Sequence, residues 1–206
     1  GGTVTLIDGG ATYERFDMGR SVVAPFLWNR GIRRIDHVIG THPQLDHVGG
    51  LAWILAHSQV EKFWTNGAER QEEFWRRIER AMVQRKLEAT VATEGRLISE
   101  GPACRMVVLN PQPRPESSIS AKSESLNNLS VVTELVCREQ RVLFTGDIER
   151  EALTRLTHSG NSAHIALLKV PHHGAKSSLE RRWLEAIRPA VAVVSAGRGN
   201  PYGHPA

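Results

Sequence analysis

Cysteine and long hydrophobic runs are both scarce in this chain of 206 residues, and each scarcity excludes a class of protein. Its two cysteines, Cys104 and Cys137, fall in predicted strands with no evident pairing, so neither a disulfide scaffold nor a cysteine zinc site is expected. No apolar run approaches the ~20 residues that a transmembrane helix needs, and the first residues lack the features of a signal peptide. No membrane span is therefore predicted within this stretch of chain.

The charge balance is only slightly basic. The chain carries 26 lysines and arginines against 22 acidic residues, a net charge of +4, and its sequence pI is near 9.4. Such an excess suits a polyanionic partner but does not require one. With 40% hydrophobic and 23% charged residues, the composition is that of an ordinary globular protein with a hydrophobic core.

Short β-rich runs alternate with helical ones, which predicts a single α/β domain over residues 1–206. The predicted strands are Thr3–Ile7, Ile35–Thr41, Val60–Thr65, Arg105–Leu109, Leu129–Arg138, Arg141–Thr145, Ile165–Val170 and Ala190–Ser195. The predicted helices are Arg20–Arg30, Val48–His57, Glu69–Glu88, Ile148–His158 and Leu179–Ile187. The polar, proline-rich residues 110–128 predict a long surface loop.

The most informative segment is Thr41–Gly50, which follows a predicted strand and leads into a predicted helix. It places two imidazoles and a carboxylate, those of His42, Asp46 and His47, within six residues. Loops at strand ends collect functional residues because a rigid element holds them in place. Zinc and manganese both accept imidazole and carboxylate, so the three residues are candidate metal ligands. A polar loop with two surface histidines is the alternative interpretation.

A second carboxylate, that of Asp147, follows the apolar strand Arg141–Thr145 after one glycine. A strand end is a suitable place for a metal ligand. Asp147 also stands directly before the predicted helix Ile148–His158, where aspartate is a good N-cap. The segment alone leaves both interpretations open.

Two adjacent histidines, His172 and His173, follow the strand Ile165–Val170 after one proline. Adjacent residues on an extended chain point to opposite sides, so one imidazole would face the site and the other a neighbour or the substrate. His204 stands alone in the turn-rich segment Asn200–Pro205.

Lys176, Ser177 and Ser178 stand at the start of the predicted helix Leu179–Ile187. Amides, hydroxyls and an ammonium at a helix start favour phosphate binding, although an ordinary capped helix start has the same pattern.

The coincidence of these features decides between the interpretations. Five of the nine histidines and two carboxylates stand just past strand ends at four separate places in the sequence. Four independent structural explanations are less economical than one shared function. Metal-dependent catalysis is therefore the leading hypothesis.

These motifs resemble those of the metallo-β-lactamase superfamily. The run His42-x-x-x-Asp46-His47 before Gly49-Gly50 is similar to its first metal motif, Thr145-Gly146-Asp147 to the strand with its bridging aspartate, and Pro171–Gly174 to its late histidine motif. More narrowly, residues from about 5 to 205 resemble the C-terminal domain of ComEC-type DNA-uptake proteins of natural competence. The segments that carry this resemblance are Leu6–Gly10, Gly31-Ile32, Thr41–Leu51, Asn127–Val132, Thr145–Glu149, Lys169–Gly174 with Ser177-Ser178, and Asn200–Pro205.

The resemblance implies an αββα four-layer sandwich, trimmed at both ends and excised from a larger membrane protein. It implies a metal-dependent phosphodiester hydrolase, a nuclease that degrades the DNA strand not imported during natural transformation. One or two divalent ions, Mn²⁺ or Zn²⁺, would be the cofactor. The expected partners are single-stranded DNA, the membrane channel and the other domains of the same parent protein. The parent would lie in the cytoplasmic membrane, with this domain on the extracytoplasmic side.

The resemblance also implies a role for each candidate residue. Asp46 would bind metal and orient the nucleophilic water, and His204 or else His173 would protonate the leaving oxygen. The implied metal ligands are His42, Asp46, His47, Asp147 and His172. The substrate-binding candidates are Asn127, Asn128, Lys176, Ser177 and Ser178.

Two departures from the family pattern keep other functions open. Gln44 stands where many members have a second histidine, and its neutral amide oxygen is a weak metal ligand. The usual mid-chain histidine is absent, and Asn127 or Asn128 occupies roughly its place. One alternative is a catalytically weak or inactive DNA-binding or gating module. Another is a hydrolase of small phosphodiesters, phosphocholine esters or lactones, since the same fold hosts all of these.

Overall fold

The computed structural model describes residues 2–68, 72–113, 125–158 and 164–206. The chain divides into two compact units, Gly1–Ala92 and Thr93–Ala206, and one domain over residues 1–206 stays a prediction. Most of the predicted surface loop 110–128 lies outside the described residues. No helix within the described ranges is long and apolar enough to cross a membrane.

The first unit is built on a four-stranded parallel sheet with the order β1-β4-β5-β6, beside a small β2-β3 hairpin. Its strands are β1 (Thr5–Ile7), β2 (Thr12–Tyr13), β3 (Phe16–Asp17), β4 (Arg34–Ile39), β5 (Gln59–Thr65) and β6 (Ala89–Val91). Its helices are α1 (Ala24–Asn29), which continues a π-helical turn over Gly19–Val23, α2 (Leu45–Val48), α3 (Leu51–His57) and α4 (Glu73–Arg85).

The core of the first unit explains why these segments fold as they do. Leu51, Ile54 and Leu55 recur at helical spacing along α3 and form one buried cluster with Val38 and Phe63 of the sheet. Because β1 and β4 run parallel, their carboxyl ends lie at the same edge of the sheet. The loops that follow these two strands are therefore neighbours.

The second unit is built on a six-stranded mixed sheet with the order β12-β11-β10-β9-β8-β7. Strands β7 to β10 pair antiparallel, whereas β10, β11 and β12 run parallel. Its elements are β7 (Leu97–Glu100), β8 (Cys104–Asn110), β9 (Val132–Cys137), β10 (Gln140–Phe144), α5 (Arg150–His158), β11 (Leu167–Lys169), α6 (Arg181–Ile187) and β12 (Val191–Val193). The parallel arrangement brings the segments after β10, β11 and β12 to one edge of the sheet.

Several predicted elements differ from the observed ones. The helix predicted over Val48–His57 is two helices, α2 and α3, which meet at Gly49-Gly50. The helix predicted over Leu179–Ile187 begins later, at Arg181. The longest predicted helix, Glu69–Glu88, is observed as the shorter Glu73–Arg85, and residues 69–71 lie outside the described ranges. The short strands β2, β3, β6 and β7 have too few residues to give a periodic signal and were not predicted.

The two cysteines are paired, contrary to the prediction. Cys104 and Cys137 stand opposite each other in neighbouring strands β8 and β9 and form a disulfide. The two cysteines are 33 residues apart in sequence, so their contact depends on the register of the two strands. This register is set by long-range pairing, which local sequence patterns do not reveal.

Candidate metal centre

The segment after β4 carries two buried imidazoles. His42 is 1% exposed and His47 is 4% exposed, which excludes the interpretation as a polar loop with two surface histidines. Their ring centroids lie 4.2 Å apart with the planes inclined at 52°. His47 belongs to the single turn of helix α2, and the carbonyl of Gln44 accepts hydrogen bonds from the amides of His47 and Val48.

Asp8, the residue after β1, holds both rings in place. Its carboxylate accepts hydrogen bonds from the Thr41 amide at 2.8 Å and the Thr41 hydroxyl at 2.9 Å. His47 Nδ1 lies 2.7 Å from the same carboxylate, and His42 Nδ1 lies 3.0 Å from the Thr41 hydroxyl oxygen. These partners assign the proton of each ring to Nδ1. Nε2 is then the atom through which each ring would bind a metal ion, an orientation typical of carboxylate–histidine–metal arrangements.

The environment of Asp8 favours its charged form. Burial alone would raise the pKa of this carboxyl, but its interactions with His47, the Thr41 amide and His42 outweigh burial and lower the pKa. Asp8 therefore stays ionised next to the imidazoles. The sequence did not single out Asp8 as a site residue, because Asp8-Gly9-Gly10 is also a strong turn signal.

Asp46 and Gln44 differ from the histidines in accessibility and in charge. The Asp46 side chain is 54% exposed, and its Oδ2 lies 4.0 Å from His47 Nε2. A carboxylate at this position can contact both a metal ion and solvent. Gln44 precedes α2 with an extended backbone, and its side chain does not cap the helix.

Gly50 is required by packing. A Cβ at Gly50 would lie 2.3 Å from the Gly9 carbonyl oxygen and 2.5 Å from the Gly19 amide nitrogen. A Cβ at Gly19 would lie 2.0 Å from the Gly50 oxygen. The three backbones therefore touch directly, which fixes the loop against the turn after β1. Close packing is therefore the role of Gly50 that this geometry supports.

Asp147 is a buried carboxylate of the second unit, with 1% exposure. Its Oδ1 lies 3.3 Å from Lys169 Nζ, and its Oδ2 lies 3.2 Å from His173 Nε2. Helix α5 begins only at Arg150, so the interpretation of Asp147 as the helix N-cap is wrong. Lys169, which sequence reasoning missed, is the last residue of β11 and also donates to the Gly146 carbonyl oxygen at 2.8 Å.

The adjacent histidines do not lie on extended chain as predicted. His172 and His173 have φ values of 44° and 54°, and Gly174 follows with 81°. Such left-handed backbone is rare for residues with a side chain and concentrates at functional sites. The turn presents the two rings to different neighbours, so the orientations inferred from an extended backbone do not apply.

His173 is the imidazole beside Asp147. Its Nδ1 lies 2.6 Å from the carbonyl oxygen of Ser195, which assigns the proton to Nδ1 and leaves Nε2 toward Asp147. His172 is the predicted ligand, and its Nδ1 lies 3.2 Å from the Glu149 carboxylate and 3.5 Å from the Ser177 hydroxyl, whereas the Nε2 beside Asp147 is that of His173. The geometry of the second unit thus favours a ligand pair of Asp147 and His173.

The segment Asn200–Pro205 brings His204 to the same region of the second unit. Asn200 Oδ1 accepts hydrogen bonds from the amides of Tyr202 and His204, and its Nδ2 donates to the His204 carbonyl oxygen at 2.7 Å. This turn sets the His204 ring 5.8 Å from the His172 ring. The structure therefore brings together three histidines from two distant parts of the sequence.

The segment Lys176–Ser178, predicted to bind phosphate at a helix start, has a different structure. Lys176–Ser178 form a separate 3₁₀ turn, and Glu180 caps the later helix α6 by accepting from the Arg182 amide. Lys176 and Ser177 are exposed. Ser178 is buried, and its hydroxyl donates to the Ile148 carbonyl oxygen at 2.8 Å. The helix start that motivated the prediction is thus occupied by a carboxylate of the chain itself.

The two predicted asparagines differ in burial. Asn127 is half-buried, whereas Asn128 is buried and holds the segment before helix α5. Its Oδ1 accepts from the Glu149 amide at 2.9 Å, and its Nδ2 donates to the Glu151 carboxylate at 3.2 Å. Both polar groups of the Asn128 side chain are therefore hydrogen-bonded within the chain. A substrate contact stays a prediction only for Asn127.

The donor set fits a divalent ion within each unit. Neutral imidazole nitrogens and carboxylate oxygens are present in both, and carboxylate, hydroxyl or carbonyl partners fix the ring orientations. Such a ligand set accepts zinc, manganese or iron.

A family model described as the metallo-beta-lactamase superfamily matches residues 1–104. The chain belongs to this superfamily, as its motifs predicted.

Curated relatives, among them a competence protein, match most of the chain. The chain is 29% identical over 196 residues to ComE operon protein 3 of Bacillus subtilis, covering 92% of this chain and 24% of that protein. It is 28% identical over 185 residues to Competence protein ComA of Neisseria gonorrhoeae, covering 89% of this chain and 23% of that protein. The chain thus spans about a quarter of the length of these relatives, and the predicted resemblance to competence proteins is confirmed.

A solved structure confirms the predicted fold class. Human tRNase Z, short form, matches with a TM-score of 0.51 and 12% identity, covering 92% of this chain and 80% of that one. At this level of identity the likeness extends to the fold alone.

Proposed function

We propose that this chain is a metal-dependent phosphodiester hydrolase, a nuclease that degrades the non-imported DNA strand during natural transformation. The observation that carries the proposal is the buried pair His42 and His47, whose rings are oriented for metal binding by Thr41 and Asp8. Membership of the superfamily supports a hydrolase. Similarity to competence proteins supports a role in DNA uptake.

Each unit has its own proposed metal ligands. In the first unit they are His42, Asp46 and His47. In the second unit they are Asp147 and His173, with His173 in place of the predicted His172 because its Nε2 lies beside the Asp147 carboxylate. A bound divalent ion would supply charge stabilisation at the phosphate and lower the pKa of a water molecule towards neutrality.

The chain's own residues would orient the reactants and move protons. The half-exposed carboxylate of Asp46 would orient the attacking water and accept its proton. His204, held by the Asn200 turn, would donate a proton to the leaving oxygen. The exposed residues Lys176 and Ser177 would contact the phosphate.

The proposal includes a place on the extracytoplasmic side of the cytoplasmic membrane, as one part of a larger channel-forming protein. The Cys104–Cys137 disulfide supports this side, since disulfides persist in oxidising compartments. The relatives are about four times as long as this chain, which leaves room for a channel and other domains.

A second candidate function is a DNA-binding or gating module with little or no catalysis. Gln44 favours it, because this loop position offers a neutral amide where the superfamily pattern has a charged or imidazole ligand. Such a module would bind single-stranded DNA in a salt-dependent manner without cutting it.

The test is cleavage of end-labelled single-stranded DNA by the purified chain with Mn²⁺, with Zn²⁺ and with EDTA. We expect cleavage that requires a metal and is lost in Asp46→Ala. Glu14→Ala, which removes an exposed carboxylate from the same unit, is the matched control and should keep full activity. A small chromogenic phosphodiester, run in parallel, separates a nuclease from a hydrolase of small esters.

Binding without cleavage under every metal would refute the nuclease and favour the gating module. Cleavage that persists in EDTA or in Asp46→Ala would also contradict the proposal, because the metal and this carboxylate are its two essential parts.

A further inference from the structure

Three buried polar side chains lie directly behind Asp147 in the second unit. Asn110 ends strand β8, Asn128 belongs to the 3₁₀ turn Leu126–Leu129, and Ser130 follows that turn. Their exposures are 2%, 3% and 0%. Burying polar groups to this extent destabilises the fold unless they are hydrogen-bonded. Their hydrogen-bond partners therefore indicate the role of the three side chains.

Asn110 holds the other two members together. Its Nδ2 donates to the Asn128 carbonyl oxygen at 2.9 Å and to the Ser130 carbonyl oxygen at 2.8 Å. Both amide hydrogens are thereby used on one short segment of backbone. The side chains of Asn128 and Ser130 are then fixed relative to strand β8.

The cluster contacts the backbone on both sides of Ile148. The Asp147 amide donates to Ser130 Oγ at 3.0 Å, and the Glu149 amide donates to Asn128 Oδ1 at 2.9 Å. These two bonds link residues 110, 128 and 130 to a segment that lies between strand β10 and helix α5. The segment itself belongs to neither element, so its position depends on such contacts.

We propose that Asn110, Asn128 and Ser130, termed here the polar clamp, are positioning residues that place the Asp147 carboxylate for metal binding. The inference rests on the proposed role of Asp147 as a ligand. The clamp acts on the Asp147 backbone, whereas Lys169 and His173 contact its carboxylate. The clamp thus holds the backbone of Asp147, and Lys169 and His173 hold its carboxylate. The clamp also gives Asn128 a role different from the predicted substrate contact.

Ser130→Ala is the direct test, because it removes the acceptor for the Asp147 amide and little volume. Ser130→Thr keeps the hydroxyl and is the conservative rescue. Thr133→Val is the matched control, since it removes another buried hydroxyl of the same unit, on strand β9. For each purified protein, Mn²⁺ and Zn²⁺ affinity is measured by competition with a chromogenic chelator, and unfolding of the metal-free protein is measured by circular dichroism.

We expect Ser130→Ala to weaken metal affinity about 10- to 100-fold, as loss of a residue that supports a ligand does. Ser130→Thr should restore affinity to near the original value, and Thr133→Val should leave it unchanged. If Ser130→Ala does not fold, Asn128→Ala takes its place, because it releases the Glu149 amide and leaves Ser130 intact.

Two results would overturn the clamp, and they differ from each other. A folded Ser130→Ala protein with a lower unfolding temperature but unchanged metal affinity would make the cluster a purely structural support. An unsubstituted protein that binds neither Mn²⁺ nor Zn²⁺ would refute the proposed function, and the clamp together with it.

Discussion

The two units hold their candidate ligands by different means. In the first unit, two imidazoles within one short loop are fixed by a single carboxylate, that of Asp8, directly and through Thr41. In the second unit, Asp147 and His173 come from separate segments. They are fixed by neutral groups, the polar clamp and the Ser195 carbonyl, with one ammonium at Lys169.

The difference has a physical consequence. A carboxylate that serves several donors concentrates the stability of a site in one residue, because its loss leaves several buried groups without their partner. A set of neutral hydrogen bonds distributes the same task, so each loss is smaller. A single substitution at the Asp8 carboxylate should therefore destabilise the first unit's site strongly, whereas each single substitution around Asp147 should destabilise the second unit's site less.

The largest effect is expected for Asp8→Asn, which tests whether the first cluster depends on one charge. The new amide would turn a donor toward Thr41 or His47, both of which donate to Asp8. We expect the free energy of unfolding to fall by about 3 kcal/mol, measured in urea without metal. Metal affinity should fall up to about 100-fold.

Asp17→Asn is the matched control for this change. Asp17 also accepts two hydrogen bonds, from Thr12 and from the Arg20 amide, but it contacts neither imidazole. Its loss should cost about 1 kcal/mol and leave metal affinity unchanged. If Asp8→Asn and Asp17→Asn had equal effects on the free energy of unfolding and on metal affinity, the first unit's site would not depend on the single carboxylate of Asp8.

A middle-sized effect is expected in the second unit, from the pair His173→Ala and His172→Ala. The geometry places His173 beside Asp147 and His172 beside Glu149. We expect His173→Ala to weaken metal affinity at least about tenfold more than His172→Ala does, measured by chelator competition. The reverse order would restore His172 as the ligand that the sequence motif predicts.

The smallest effect concerns a carboxylate of the first unit that lies away from the imidazoles. The Val4 amide donates to Asp36 at 2.8 Å, and this bond, together with Arg34, lowers the pKa of Asp36 although burial opposes it. A lowered pKa in the folded state gives stability that is present above the ordinary pKa and is lost as pH falls through the lowered one. Unfolding in urea between about pH 5 and about pH 2 should therefore show a slightly smaller loss for Asp36→Asn than for the unsubstituted chain. An identical pH dependence would contradict the assignment.

The contrast between the units also explains which features could be predicted from the sequence. The loop with His42, Asp46 and His47 was recognisable because its donors are contiguous, and the strand ends around it follow from apolar runs. Asp8 was missed because it is 39 residues from His47 in sequence, and nothing local distinguishes it from a turn residue. The polar clamp, Lys169 and the cysteine pair were missed for the same reason, since each depends on strand order and register.

The backbone at His172 and His173 differs from the prediction for a different reason. The prediction assumed an extended chain, and the observed turn is left-handed at both residues. Backbone of this kind is rare without glycine, so no pattern of ordinary residues predicts it. The start of helix α6 was placed too early because the polar run 176–178 resembles a helix cap, whereas Glu180 provides the cap.

The contact among Gly9, Gly19 and Gly50 has a consequence for how this sequence can vary. At Gly19 and Gly50 the opposing atoms belong to backbone, so enlarging one residue cannot be compensated by shrinking another side chain. In a hydrophobic core, a larger residue at one position can often be accommodated by a smaller residue at its neighbour. No such compensating pair exists for these two sites. In a library randomised at both positions, the survivors should carry glycine at each one independently, without the correlated changes that usually reveal a contact.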